Sequence, residues 1–247
     1  MAFADHFSAQ SATYAEARPG YPAELFEWLA AQAPARALAW DAGCGNGQAS
    51  VGLARRFDSV FASDPSQAQI ARATAHPRVR YAVEPAERCS LPAASADLVT
   101  VAQAYHWFDH AAFCAEARRV LHPGGLVALW SYARSSVLPA VDALFDELHD
   151  IRLATDWPTG REHVLTQYRE LLFPFERIDA PDFEMREHWT LPQYLAYLRS
   201  WSASERHRQR TGVDPVDELA ARFIEAWEDP SQVREVRWPL TLLAGRA

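Results

Sequence analysis

The 247-residue chain contains no lysine; all 24 of its basic residues are arginine. This excludes a P-loop lysine, a Schiff-base lysine and the Tyr-x-x-x-Lys pair of many dehydrogenases. No apolar run approaches the roughly 18 residues needed to cross a bilayer, so no membrane partner is expected. Met1–Ser11 has neither a basic start nor an apolar stretch and does not read as a signal peptide. Basic residues are outnumbered by 32 acidic ones, leaving a net charge of −8. A nucleic-acid partner is therefore not expected, because phosphate binding requires a basic face. Cysteine is scarce: Cys44, Cys89 and Cys114 share no metal-ligand spacing. An odd count without an export signal reads as reduced thiols and a cytoplasmic location, and each cysteine reads as a small buried apolar residue. No metal site is expected.

Glycine is also sparse, yet three of the ten fall within Gly43-Cys44-Gly45-Asn46-Gly47. The loop follows a short apolar run ending at Asp41, and Asp64 ends the next one, seventeen positions after Gly47. Glycine at a strand end allows positive φ and close approach of a ligand to the backbone. An ordinary strand–helix turn explains the glycines alone. With Asp41 and Asp64, the pattern points to a nucleoside-containing cofactor whose ribose meets a carboxylate.

Short apolar runs and helical stripes alternate along the first half. Residues 22–33 carry a stripe with Pro22 at its entry. Strands are expected at Ala37–Asp41, Ser59–Asp64, Val79–Val83, Asp97–Ala102 and Leu126–Trp130. Helices are expected at Gln48–Arg56, at Pro65–Ala75 and after Asp109, an N-cap. His122-Pro123-Gly124-Gly125 ends that last helix. This alternation implies a parallel sheet with right-handed crossovers. Later, residues 137–173 read as helices broken at Trp157–Gly160, Phe183–Trp189 as a strand, Leu191–Ser202 as a helix, Asp214-Pro215 as a helix start and Val233–Leu243 as the last strand. Pro239 within that strand predicts a bulge or a start beyond it, because proline cannot donate to a ladder. The fold class is α/β: one doubly wound domain over 1–247, with an entry segment (1–35), a cofactor-binding core (36–131), covering helices and a late strand (132–230) and a final strand (231–247).

Asp41-Ala42-Gly43-Cys44-Gly45-Asn46-Gly47 resembles the first motif of the class I S-adenosylmethionine-dependent methyltransferases, and the resemblance spans essentially the whole chain. It implies S-adenosylmethionine as cofactor and a Rossmann-like seven-stranded sheet with its last strand antiparallel. It also implies cofactor contacts from Asp41, Gly43, Cys44, Gly45, Gly47, Asp64 with Pro65, Ala86, Glu87 and Gln103. Ala86-Glu87 before Leu91-Pro92 is similar to the segment that brackets adenine, and Pro123-Gly124-Gly125 is a further hallmark. Tyr14–Pro22, the run Ala102–Asp109 with His106-Trp107-Phe108-Asp109, and Arg199–Ser202 resemble the trans-aconitate methyltransferase-like, or type 11, group. Tyr14 and Arg18 are then expected to close over the cofactor carboxylate, with a helix-entry surface charge as the alternative for Arg18.

The rival nicotinamide fingerprint, Gly-x-Gly-x-x-Gly, needs its third glycine one residue later than Gly47. A non-catalytic binder of the same fold is a third reading, opposed by the intact motifs. The expected reaction is methyl transfer to a small-molecule acceptor, for which a carboxylate oxygen of an organic acid is the first choice and a hydroxyl in an aromatic pocket the alternative. His106 is the candidate catalytic residue, either as a general base or as an orienting group. Trp107, Arg199 and Trp201 are the candidate substrate residues, with Arg199 chosen over Arg134, Arg161 and Arg206. Asp97 is expected to face solvent. The oligomeric state is not legible.

Overall fold

The strands of the first half fall where its apolar pattern predicts, and the second half departs from the pattern in ways that shape the site. The structure, a computed structural model, describes residues 19–247. Tyr14 and Arg18 lie outside the described residues. The chain runs α1 (Ala23–Gln32), β1 (Leu38–Ala42), α2 (Gln48–Ala54), β2 (Ser59–Asp64), α3 (Gln67–Ile70), β3 (Val79–Val83), β4 (Ala96–Ala102), a 3-10 turn at Tyr105–Trp107, α4 (His110–Val120) and β5 (Leu121–Ser131). Then follow α5 (Pro139–Asp146), a π-helical turn (Glu147–Arg152), α6 (Arg161–Leu165), β6 (Glu176–Ile178), β7 (Glu184–Trp189), α7 (Leu191–Arg199), α8 (Ser202–Thr211), α9 (Ala220–Trp227), β8 (Arg234–Pro239) and β9 (Thr241–Arg246).

Seven strands form one sheet in the order β3-β2-β1-β4-β5-β9-β6. β1 to β5 pair in parallel, whereas β9, the last strand, runs antiparallel to both β5 and β6. Both faces are covered, so alternate residues enter opposite cores. On β5, Leu126, Ala128 and Trp130 join α1 and α2, while Val127 and Leu129 join α4. A third cluster, built from α5, α7, α9, β7 and β8, forms a cap beside the sheet. Gly52 on α2 makes room for the Phe26 ring, which is how α1 seats against the sheet.

Four expectations are corrected. Val233–Leu243 is two strands: β8 ends at Pro239 and pairs with β7, with a single bridge from Arg237 to Ser136 on its other edge, and β9 begins at Thr241 in the main sheet. Pro239 therefore marks the exit from one sheet to the other, where no ladder bond is lost. The sixth strand of the main sheet is β6, three residues long and unmarked in the sequence. The alanine-rich helix stops at Ile70 because tertiary bonds take over: Thr74 N donates to Asn46 O (3.0 Å) and Tyr81 Oη to Thr74 O (2.8 Å). Asp97 is 3% exposed, accepting from the Ala37 and Leu38 amides at 2.8 and 3.1 Å, which fixes the start of β1.

Candidate active site

The sheet order reverses direction between β1 and β4, which opens a crevice beyond their carboxyl ends. Two loops meet there, residues 43–47 and 103–109. A cavity of about 1190 Å³ extends from them to the cap. That volume exceeds the usual range for one small ligand and suits two placed side by side.

Gly43 and Cys44 amides donate to Ser63 O at 2.8 and 3.0 Å, tying the glycine loop to β2. The Gly45 amide donates to Asp64 Oδ2 (2.9 Å), and the Ser66 amide to Asp64 Oδ1 (2.8 Å). Each carboxylate oxygen has a second lone pair, so Asp64 can hold the loop and still receive hydroxyls from the cavity it lines. The glycines divide by role. A Cβ on Gly43 would meet Ala104 Cβ (2.8 Å) and Phe108 Cζ (2.9 Å), and one on Gly47 would collide with the Tyr81 hydroxyl. A Cβ on Gly45 would meet nothing within 4 Å, so the open space beside Gly45 belongs to the cavity. Gly47 lies outside the cavity lining and packs against Tyr81.

Asp41 lies outside the lining too. It is fully buried behind the loop and accepts from Ser50 Oγ (2.6 Å) and Thr100 Oγ1 (3.0 Å). It fastens β1 to α2 and β4, and burial pushes its carboxyl up to about 6. Cys44 lines the cavity, with its thiol raised well above the usual value by burial, which makes it a poor nucleophile.

Pro65, Ala86 and Glu87 line the same end, and Glu87 Oε1 accepts from the Asp109 amide at 2.9 Å. This joins the segment after β3 to the cap of α4. Gln103 also lines the cavity, in a left-handed conformation (φ +56°) held by Nε2→Tyr132 O (2.7 Å) and N→Trp130 O (2.9 Å). The turn it starts brings His106 and Trp107 to the cavity wall. His106 Nδ1 lies 3.0 Å from Tyr168 Oη. Burial, then Arg161, His163 and His110, lower its pKa to about 3, so the imidazole is neutral at physiological pH and a weak base.

The cap closes the other end with Tyr132, Trp157, Pro158, Arg161, Tyr197 and Trp201. Trp201 interrupts the single helix expected over 191–202: its backbone is extended between α7 and α8, and its ring packs on Phe145, Trp157 and Tyr197. Arg199 is corrected. It lies outside the lining and faces Asp214 (Nε–Oδ2 3.5 Å) and Asp217 (2.5 Å) on the surface of the cap. Arg134 is bound to Asp146 and Asp150, and Arg206 is not in the lining. Among the described residues, Arg161 is the arginine that reaches the cavity. Its guanidinium lies 4.9 Å above the Trp157 ring, and one nitrogen donates to Ala133 O at 3.3 Å. The Trp157-Pro158-Thr159-Gly160 break was the available signal, because it puts a turn directly before Arg161. Tyr168 carried no sequence signal.

Relatives share this layout. A family model described as a methyltransferase domain matches residues 40–129, from β1 to β5. A solved structure from Anaeromyxobacter dehalogenans, provisionally assigned as a type II methyltransferase, is 50% identical, with a TM-score of 0.88 over 93% of this chain and 97% of that one. A protein of Dictyostelium discoideum provisionally assigned as a methyltransferase is 30% identical over 99% of this chain and 95% of its own. This chain belongs to the class I S-adenosylmethionine-dependent methyltransferases. An uncharacterized methyltransferase of Mycobacterium bovis is 38% identical over 87% of this chain and 85% of that one.

The residues present fit S-adenosylmethionine as this methyltransferase's cofactor: the space beside Gly45 is open, and Asp64, Ala86 and Glu87 line the same cavity. Among the described residues no group of three or more His, Cys, Asp or Glu could hold a metal ion, and no helix is long and apolar enough to cross a membrane.

Proposed function

We propose that the enzyme methylates a carboxylate oxygen of a small organic acid, in the manner of the trans-aconitate methyltransferase-like group. The observation that carries this is Arg161 in the cavity wall beside a neutral His106. A guanidinium presents its N–H donors in a fork matched to a carboxylate. A carboxylate acceptor has no proton to lose, so a weakly basic His106 suffices.

S-adenosylmethionine supplies a methyl already activated on a sulfonium. The protein's work is then alignment and exclusion of water, worth up to roughly 7–11 kcal/mol of a displacement barrier. In this reading Asp64 receives the ribose hydroxyls, Gly45 allows close approach of the cofactor, Ala86 and Glu87 bracket the adenine, and Cys44, Pro65 and Gln103 complete the cofactor end. Trp107, Trp157 and Trp201 wall the acceptor end, and Arg161 takes the place first given to Arg199. A second reading, a hydroxyl acceptor, draws on the number of aromatic rings in that wall, with Tyr132 and Tyr197 alongside the three tryptophans.

The test is a panel of small metabolites with labelled methyl donor, run on wild type, Arg161→Leu and Arg199→Leu. Carboxylic acids should be methylated, with KM raised at least tenfold in Arg161→Leu, the order expected for one charge-assisted contact, and unchanged in Arg199→Leu. Methylation confined to neutral phenols would overturn the carboxylate reading.

A further inference from the structure

Five non-glycine residues among those described have positive φ, and only Gln167 (+58°) and Tyr168 (+57°) are consecutive. Residues with a Cβ avoid this region because it crowds the following carbonyl. The surroundings hold Tyr168 there. It is fully buried, its amide donates to His163 O (2.8 Å), and its ring meets Tyr105 edge-on with centroids 5.8 Å apart. The outcome is a phenol hydroxyl 3.0 Å from His106 Nδ1, on a ring stacked at 29° to the imidazole. Strain kept directly behind His106, a residue of the cavity wall, is a reason to look for a role.

The direction of this bond decides what His106 offers the cavity. Burial raises the phenol above the usual tyrosine range and lowers the imidazole, so both partners are neutral. A buried phenol proton needs an acceptor, and His106 Nδ1 is the one at bonding distance. The buried Ser131 hydroxyl also lies near the phenol, outside full hydrogen-bond geometry, and acts on it as a donor that lowers the phenol pKa, so it does not take the phenol proton. Were Nδ1 the donor, the phenol proton would be stranded in the interior, the costlier arrangement. With the phenol donating, Nδ1 holds the lone pair and the imidazole proton sits on Nε2.

We propose that Tyr168 is a positioning residue that fixes His106 as the Nε2–H tautomer, making it a neutral hydrogen-bond donor to the methyl acceptor and not a base. The identity of that acceptor group rests on the carboxylate reading above; the tautomer does not. A carboxylate held through one oxygen by Nε2–H keeps its other oxygen for attack, and no proton changes hands.

The experiment is 15N–1H correlation of the histidine rings at pH 7, with His106 assigned by loss of its signals in His106→Asn. Wild type should show Nε2–H. Tyr168→Phe keeps the buried ring and removes the hydroxyl. It should turn His106 into a tautomer mixture and lower kcat on a carboxylate substrate roughly tenfold, with affinity for S-adenosylmethionine unchanged. An Nδ1–H wild type overturns the proposal without recourse to any variant, and so does an Nε2–H signal that persists in Tyr168→Phe. Nε2–H in wild type with no carboxylate methylated would sink the acceptor reading while upholding the tautomer. Nδ1–H with carboxylate methylation would do the reverse.

Discussion

Replacing Gly45 with alanine separates what the glycine loop does for the ligand from what it does for the fold. Gly45 has φ +55°, and alanine there costs about 1–2 kcal/mol. The new methyl meets nothing within 4 Å, so packing adds no further cost. For a chain of this size the melting temperature should fall by about 2–8 °C. The methyl occupies cavity space, and a ligand displaced by its width forfeits two or more hydrogen bonds. That amounts to about 2–3 kcal/mol, or roughly 30- to 150-fold in affinity. Gly47→Ala is the counterpart. Its φ is +89°, and its Cβ runs into Tyr81, whose hydroxyl holds Thr74 O. Strain plus overpacking gives about 2–5 kcal/mol of destabilisation, with a smaller effect on affinity in the folded protein. Calorimetric titration with S-adenosylmethionine and thermal melts without it measure both quantities. The reasoning is refuted if Gly45→Ala binds within twofold of wild type, or if Gly47→Ala melts no lower than Gly45→Ala.

Asp64→Asn should weaken S-adenosylmethionine binding at least tenfold by calorimetry, because charge-assisted bonds become neutral ones; unchanged affinity would remove Asp64 from the cofactor site. Asp156 is buried and accepts from His207 Nδ1 (2.8 Å) and from Arg210 Nε and a terminal nitrogen (2.9 and 2.7 Å), anchoring the segment that leads to Trp157 and Arg161. Asp156→Ala should raise the acceptor KM severalfold with little change in cofactor affinity, and equal KM values would show that the anchor does not set the acceptor wall. Asp41 makes a pH prediction. Its folded pKa, about 6, lies above the ordinary 3.8, so between these values the native state binds more protons than the unfolded state. Stability from this group therefore falls as pH rises from about 4 to 6 and is level above, by about 3 kcal/mol in total. Urea unfolding across that range should show a steeper decline in wild type than in Asp41→Asn; parallel curves would mean that the carboxyl is not perturbed.

Much of the fold was legible because β1 to β5 are apolar runs closed by turn signals, and their alternation assigns side chains to two cores. The cofactor end was legible for the same local reason. A strand, a glycine loop and the next strand's terminal acid are close in sequence, and their spacing constrains the backbone. β6 escaped notice because three residues carry no periodicity, and Pro239 was ambiguous because either a bulge or a strand start beyond it accommodates a missing donor. At the acceptor end, composition offered arginines without directions. Arg199 turns to Asp214 and Asp217, and Arg161 turns to the cavity, because cap helices take their facing from partners such as Phe145, Trp201 and Tyr197. The strained pair at 167–168 exists only once Tyr105, His106 and His163 are in place around Tyr168. By itself the sequence determined a sheet that ends in a cofactor loop, through local spacing. Which side chains meet the acceptor was decided by tertiary packing, where direction depends on residues distant in the chain.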